Sequence, residues 1–559
     1  MELYTFIMDA IVLLMIAVFI RHSLYRMRYF LHMFQQLGYK TGEFRQWLSE
    51  NFYSRGFTAE HLLFNIILLL LIYFFAENIT LTSGTIIVGT FALFWFVNTG
   101  RYREEKEKKP LVFTARMKRL GGTYLVLTGA LWFLLIDFGF RGLQIRDFAG
   151  PFVNTDPYFM GFGLVLIDIL VPLLLFLAAW LMMPVEKYIQ NGFKKQARKK
   201  LASLPDLKVI AITGSYGKTS TKFVIDAFLK ERMPVCVTPG SYNTPMGICK
   251  VINNDLEAHH RVLILEMGAR YSGNIKELCE IARPDVSVIT NVGVSHLETF
   301  GSKEAIAREK STLARELKKG GTLVLNSDDE QVKAMSDLRN DVNVVYAGSE
   351  GHVQAHDVSV GPDGTAFTMK WTDKTDGETE EENIRVKLLG EHNIQNILLG
   401  ATVAREFGVR LKTIVIAASK MEPVEHRLEL KKRNGLTVID DAFNSNPVGA
   451  KSAVDVLASF PSGRKIIITP GMIELGDIEN AENEKFGRHI ARAKLDLVLL
   501  VGEEQTAAIK KGIESAENGI AADVRVVSSL FEANEVLMDF AEPGDVVLYE
   551  NDLPDTFNK

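Results

Sequence analysis

The chain has 559 residues, 47% of them hydrophobic, and a formal net charge of −5. At roughly 150 residues per domain this leaves room for three or four domains. The acidic balance argues against a nucleic-acid binder, which would carry a strong basic excess. The three cysteines, Cys236, Cys249 and Cys279, form no CxxC pair, so neither a zinc site of that type nor a disulfide framework is expected, and free thiols in a reducing compartment fit better.

The first 200 residues read as a membrane-embedded α-helical region. Five apolar runs stand at about 4–20, 62–75, 84–97, 123–136 and 161–183. A bilayer core takes about 20 apolar residues per helix. The first and last runs reach that length alone, and the middle three reach it with their flanks. A buried helix pair in a soluble domain is the alternative for those three. No cleavable leader is expected, since the first run lacks a basic segment before it and a small-residue cleavage site after it. Lys and Arg number six in 21–57, eight in 100–120 and six in 184–200, against none in 79–83 and two in 141–160. Basic loops favour the cytoplasmic face. The expectation is therefore five spans in the cytoplasmic membrane, the N-terminus outside and everything after residue 200 in the cytoplasm. Asp168 lies inside the fifth run, where a charge is costly; packing against Asn65 or a backbone group is one reading, a lipid headgroup path another. Asp9 and Asp137 sit nearer run ends, where interfacial solvation suffices.

From about residue 201 the pattern changes to short apolar runs alternating with helical stretches. KVIAIT, RVLILEMG and VSVITNVG read as buried parallel strands with polar residues at their C-terminal ends. LTVIDDAFN, KIIITPG, LDLVLLVG and DVVLYEN form a second set, with polar strand-like sequence over 340–388 between them. The fold expected is α/β in two domains. A P-loop ATPase domain with a mostly parallel sheet covers 201–422, and a smaller Rossmann-like domain covers 423–559.

TGSYGKTS follows the first strand and opens a helix. Backbone N–H groups around Gly214, Ser215 and Gly217, and at the first turn through Ser220, would attract phosphate oxygens. Lys218 can reach the terminal phosphates of ATP, and the Thr219 hydroxyl can bind Mg²⁺. Ile212 stands where the full phosphate-loop motif has its first glycine.

Further motifs follow in order: TPGSYNTPMG, LEMGA, TNVGVSHLETFGSKEAIAREKS, GEHNIQNILLGA, EHRLEL, DDAFNSNP and GMIELG. With the phosphate loop they resemble the Mur ligase family over about 201–559, most closely its branch that adds D-alanyl-D-alanine to UDP-N-acetylmuramoyl-tripeptide. The resemblance implies an ATP-dependent amide ligase that phosphorylates a carboxylate before an amine attacks it. A free carboxylate is a poor electrophile, so the enzyme's work is positioning and charge stabilisation. It also implies roles. Glu266 and His296 would hold magnesium, two ions in all, and Lys310 would join them if carbamylated. Asn393 and Asn396, three apart on one helix face, would contact adenine, with helix capping by Asn393 as the plainer reading. Arg427 would reach the γ-phosphate and Asp441 the ribose. Asn243, Thr244, Asn444 and Asn446 would face substrate.

The family's sugar-nucleotide-binding domain is not recognisable before residue 201, where the apolar runs stand instead. The expectation is thus a membrane-bound ligase adding an amino acid or dipeptide to a cell-envelope precursor, in its finer form a lipid-linked one. The alternatives are a tethered tripeptide ligase of peptidoglycan synthesis, a folylpolyglutamate-type ligase and a non-catalytic nucleotide-binding scaffold. Amine, acceptor and oligomeric state stay open at this point.

Overall fold

A computed structural model of the chain describes residues 2–52, 62–67, 70, 81–102, 110–146, 156–374, 377–443, 446–516 and 523–552. Its described residues divide into two compact units, one within Met1–Ile189 and the other within Gln190–Leu553.

In the first unit the helices Glu2–Gln36, Leu81–Asn98, Ala115–Arg146 and the leading part of Asp156–Ala202 carry four of the five apolar runs, and Thr41–Glu50 is a short helix between them. Among the described residues one helix, within Gly163–Ala202, is long and apolar enough to cross a membrane. Five spans are therefore not established. Much of the 62–75 run and the side chains of Asp9 and Asp137 lie outside the described residues. Arg21, Arg26 and Arg28 are not in a loop, because nothing breaks helical periodicity before Gly38, where φ turns to 65°. Arg26 instead reaches Asp168: its Nη1 donates to Oδ1 at 2.7 Å and to the Asp168 carbonyl at 2.6 Å. Trp95 Nε1 donates to Asp168 Oδ2 at 3.3 Å, and His22 Nε2 lies 3.3 Å from Oδ1. All four side chains are buried, so the aspartate inside the fifth run is paired with a cation six residues past the end of the first run, and Asn65 is not its partner among the described contacts.

The second unit holds two sheets. The strands are β1 (Lys208–Thr213), β2 (Val235–Val237), β3 (Val262–Glu266), β4 (Val286–Ile289), β5 (Thr322–Asn326), β6 (Asn343–Ala347), β7 (Val353–Gly361), β8 (Gly364–Thr372), β9 (Thr379–Val386), β10 (Glu429–Arg433), β11 (Leu436–Asp441), β12 (Lys465–Thr469), β13 (Leu497–Val501), β14 (Asp523–Val527) and β15 (Val546–Glu550). The larger sheet runs β2-β3-β1-β4-β5-β6-β7-β8-β9, parallel as far as β7 and antiparallel beyond. β1, β3 and β4 are apolar on both faces because helices cover both sides, and their side chains divide between two cores. Each fully buried Ile, Leu or Val there contributes about 1.5–3 kcal/mol. The smaller sheet runs β10-β11-β15-β12-β13-β14, with only the β10–β11 pair antiparallel.

The order in the larger sheet places the site. β1 has β3 on one side and β4 on the other, so chain connections diverge from its C-terminal end and leave a crevice there. The loop 214–217 sits at that point, and Glu266 ends the neighbouring β3. The last turns of Asp156–Ala202 pack on this lobe: Ala197 is in its core, Lys194 Nζ donates to Glu277 at 2.5 Å, and Lys200 Nζ donates to the Asn253 carbonyl at 3.0 Å. The three cysteines are buried free thiols, and burial pushes Cys236 and Cys249 up to about 11 and Cys279 to about 12.

Candidate active site

The loop between β1 and the helix Lys218–Leu229 needs its glycines. A Cβ on Gly214 would fall 1.8 Å from Thr290 Oγ1, and one on Gly217, where φ is 77°, would fall 2.5 Å from Asn396 Oδ1. Asn291 clasps the loop: its Oδ1 accepts from Ser215 N at 3.0 Å and Tyr216 N at 2.9 Å, and its Nδ2 donates to the Tyr216 carbonyl at 2.9 Å. Ser215 Oγ accepts from Gly293 N at 2.8 Å. Lys218 Nζ donates to the carbonyls of Gly214 and Ser215 at 2.8 and 3.1 Å. Burial lowers the Lys218 ammonium's pKa, Glu266 opposes that and Arg427 adds to it.

Glu266 is the hub, only 1% exposed. Its Oε2 accepts from Thr219 Oγ1 at 2.9 Å and its Oε1 from Asn243 Nδ2 at 3.0 Å. Lys222 Nζ stands 3.5 Å from Oε2 and also donates to the Gly240 carbonyl. One carboxylate thus ties the phosphate loop, the Asn243 loop and β3 together. Thr244, one residue on, caps the helix Pro245–Asn254 by accepting from Gly247 N at 3.3 Å; its hydroxyl is spent on the backbone. Asn393 is not a helix cap: it lies inside His392–Glu406, where its Nδ2 donates to the Leu389 carbonyl at 2.8 Å. Its Oδ1 accepts from Asn396 Nδ2 at 2.9 Å, and Asn396 Oδ1 accepts from Thr221 Oγ1 at 3.1 Å.

The smaller sheet presents a second set of groups. Arg427 sits between His426 (φ 59°) and Leu428 (φ 47°), both left-handed and neither glycine. Such strain costs about 1–3 kcal/mol per residue, and Asp441 Oδ1 holds it by accepting from Leu428 N at 3.1 Å. Burial lowers the Arg427 pKa, while Asp441 and then Glu266 raise it. Asn446 caps Pro447–Ala458 through Gly449 N at 2.9 Å. Asn444 lies outside the described residues. Glu474 reaches back to the larger lobe, its Oε2 2.5 Å from His296 Nδ1 and its Oε1 3.2 Å from Arg270 Nη2.

Between the two lobes lies a cavity of about 210 Å³ lined by Ser215–Ser220, Asn243, Glu266, His296, Asn396, Arg427, Asp441 and Asn446. A wider one of about 780 Å³, lined in part by Asn291, Asp328, Gln395 and Glu482, shares Tyr216, Gly217, His392, Asn396 and Asn446 with it. Lys310 is 4% exposed in the helix Lys303–Arg315, not a solvated surface lysine. Its pKa is lowered well below the usual value, first by burial and then by Lys218, with Glu309 opposing. His392 is pushed down to about 4 by burial and by Arg427.

Lys218, Thr219, Glu266, His296, Arg427 and Asp441 therefore converge, and Asn243, Asn396 and Asn446 join them. Asn291, Lys222, His392 and Glu474 were not assigned from sequence. All four lie in or beside quoted motifs, and Lys222 stands one helical turn after Lys218. The residues fit ATP and magnesium. Two glycines keep the loop open for backbone N–H contact, and the Thr219 hydroxyl and Glu266 carboxylate are the oxygen donors a hard divalent ion takes, with the His296 imidazole lining the same cavity. Lys310 as an amine does not belong to that donor set; only a carbamate would place it there. A second acidic group, His426, Glu429 and Asp440, has ligand atoms within 4.8 Å of one another. Lys431 Nζ already bridges it, 2.7 Å from Asp440 Oδ2 and 2.9 Å from Glu429 Oε2.

Comparison with known proteins agrees with this geometry. Residues 212–404 match the Mur ligase middle domain, and 426–549 the Mur ligase glutamate ligase domain. A UDP-N-acetylmuramoyl-tripeptide–D-alanyl-D-alanine ligase of Mycobacterium bovis is 35% identical over 363 residues, covering 61% of this chain and 70% of the relative. The corresponding Bacillus subtilis ligase is 29% identical, covering 61% of this chain and 72% of its own. The crystal structure of MurF from Acinetobacter baumannii superposes with a TM-score of 0.58 at 26% identity, over 65% of this chain and 77% of that one. MurF ligase from Thermotoga maritima in complex with ADP superposes with a TM-score of 0.57 at 26% identity, over 65% and 80%. The chain belongs to the Mur ligase family of ATP-dependent, ADP-forming amide ligases.

Proposed function

We propose that this chain joins D-alanyl-D-alanine to the terminal carboxylate of a UDP-N-acetylmuramoyl-tripeptide in peptidoglycan synthesis. The observation that carries the reading is the meeting, around one cavity, of Lys218, Thr219 and Glu266 from the larger lobe with Arg427 and Asp441 from the smaller. The relatives' names supply the substrate pair. They specify a nucleotide-linked acceptor, so the lipid-linked acceptor anticipated from the apolar runs gives way to it.

In this reading the loop 214–220 holds the triphosphate by its backbone N–H groups and Lys218. Asn396 lies toward the base with Asn393 holding its side chain, and Asp441 toward the ribose. Arg427, planar and permanently charged, neutralises charge on the transferring phosphoryl group. The acceptor carboxylate takes that group and releases ADP; the amine then attacks the carbonyl carbon and phosphate leaves. Asn243 and Asn446 line the side where the two substrates meet. Bound magnesium supplies charge neutralisation between the two anions, with Thr219, Glu266 and His296 as the groups that would hold it. Closure of the lobes excludes water that would hydrolyse the activated acid. Lys310, its pKa lowered by burial, favours the neutral amine that adds CO₂, losing a proton to become an anion.

The test uses the full chain in detergent with ATP, magnesium, the tripeptide substrate and D-alanyl-D-alanine. The product is read by mass spectrometry and ADP is counted against it. One ADP per amide is expected, and Lys218→Ala abolishes both. Amide formation at the wild-type rate by Lys218→Ala overturns the reading. We also place the chain at the cytoplasmic membrane with its catalytic lobes inside, since the apolar helix within Gly163–Ala202 runs into the basic stretch 184–200. Extraction of the protein from membranes by alkaline carbonate would refute that placement.

A further inference from the structure

We propose that Glu474 is a positioning residue for magnesium: it fixes the tautomer and ring orientation of His296, so that one lobe completes a metal ligand of the other. This rests on the reading of His296 as a magnesium ligand. Glu474 belongs to the turn after β12, in the smaller sheet's lobe, whereas His296 follows β4 in the larger. Glu474 Oε2 lies 2.5 Å from His296 Nδ1. A carboxylate oxygen at this distance from an imidazole nitrogen accepts from its N–H; the other oxygen, Oε1, faces Arg270 Nη2 at 3.2 Å. The shared proton therefore belongs on Nδ1. That leaves Nε2 with its lone pair, on a ring that lines the cavity shared with Thr219 and Glu266. A metal-bound histidine is typically held in this way by a carboxylate on its second nitrogen, and loss of that partner costs about 10- to 100-fold in metal affinity.

The backbone is built around the contact. His296 (φ 60°) and Glu474 (φ 64°) are both left-handed and neither is glycine, a strained backbone that persists only where surroundings impose it. Glu298 N donates to the Glu474 carbonyl at 3.4 Å, and a Cβ on Gly476 would lie 3.3 Å from the Glu298 Cα. The two turns thus touch through backbone as well as side chain. In an open form His296 would lose its orienting partner, so tight metal binding and lobe closure become one event.

Two readouts test this on the full chain. The first is ¹⁵N NMR of His296 in metal-free protein. Wild type carries the proton on Nδ1, and Glu474→Ala loses that preference. The second is Mn²⁺ binding, followed by electron paramagnetic resonance with a non-hydrolysable ATP analogue. Glu474→Ala weakens it by about 10- to 100-fold, and Glu474→Gln, which keeps an acceptor oxygen, recovers part of the loss. Arg270→Ala breaks the other half of the contact and stays within about twofold of wild type. If His296→Ala binds Mn²⁺ normally, the ligand reading itself fails. If His296→Ala weakens binding while Glu474→Ala does not, or if Arg270→Ala weakens it as much as Glu474→Ala, Glu474 is only a latch between lobes and the inference is overturned.

Discussion

Gly217→Ala should damage the phosphate loop in a way that can be computed from its surroundings. The backbone there is left-handed at φ 77°, and an added Cβ would stand 2.5 Å from Asn396 Oδ1. The left-handed conformation costs a residue with a Cβ about 1–2 kcal/mol. Relief of the clash moves Asn396, which forfeits the Asn396–Asn393 bond at 2.9 Å and the Thr221–Asn396 bond at 3.1 Å, about 0.5–1.5 kcal/mol apiece. The local loss is therefore about 2–5 kcal/mol. Gly320 is the control: φ is 72° but nothing lies within 4 Å of its would-be Cβ, so Gly320→Ala carries the conformational cost alone, about 1–2 kcal/mol. Hydrogen exchange read by mass spectrometry over 214–221 should speed up by a factor of about 30 or more in Gly217→Ala, and calorimetry should show ATP binding at least about tenfold weaker. Exchange over 214–221 within a factor of two of wild type, with unchanged ATP affinity, would refute the argument that Asn396 buttresses the loop.

Lys310→Ala should lower amide formation by about 10²-fold, the scale of losing a charged group that steadies developing charge; formate should restore part of it and methylammonium none, since the missing group is an anion, and equal rescue by both would contradict the carbamate. Asp168→Ala leaves Arg26 buried without its carboxylate, which should destabilise the first unit by about 3–5 kcal/mol, read as a lower melting temperature of the detergent-solubilised chain; an unchanged temperature would show the pair to be idle. Glu550 is held up to about 8 from its ordinary 4.5, first by burial, with Asp441 adding and the Thr469 hydrogen bond opposing. Its folded pKa is raised, so its stabilisation is full below pH 4.5 and is lost as pH rises through about 8. Glu550→Gln should therefore flatten that slope and be the more stable protein at pH 9 by on the order of a few kcal/mol; an identical slope in thermal melts at pH 5, 7 and 9 would refute it.

The phosphate loop was legible because its chemistry is local. A strand, two obligatory glycines and a GKT run fall within a dozen residues, and each has a backbone reason to be there. The two α/β lobes were legible for a similar reason, since strands covered on both faces are continuous apolar runs. What could not be read is what tertiary packing decides. Asn291 clasps the loop from another strand end, at a sequence distance of 75 residues from Tyr216. Glu474 meets His296 across 178 residues, and nothing within GMIELG distinguishes a positioning carboxylate from a surface one. Lys310 is flanked by Arg308 and Glu309, a local sequence that gives no sign of burial, yet helix geometry turns it inward while Glu309 accepts from Gly273 N and Ile275 N at 2.7 Å. In the first unit hydropathy alone counted Arg26 among loop charges. A cation inside a helix is invisible to such a count when its partner, Asp168, is 142 residues away.

The charges at the cleft explain why both lobes are needed. The larger lobe brings Lys218, Lys222 and Lys310 into one region with Glu266 as its buried carboxylate, and each lysine's pKa is lowered first by burial. Lys218 further depresses Lys310, and Arg427 from the smaller lobe further depresses Lys218. Bringing Arg427 to this site is thus opposed by like charge as well as by desolvation, and Asp441 and Glu266 only partly offset it. A triphosphate placed between Lys218 and Arg427 turns that repulsion into attraction, because each cation then faces anionic oxygens rather than another cation. Closure without nucleotide is penalised and closure around it is favoured, so the acid is activated only when the groups that exclude water have already come together.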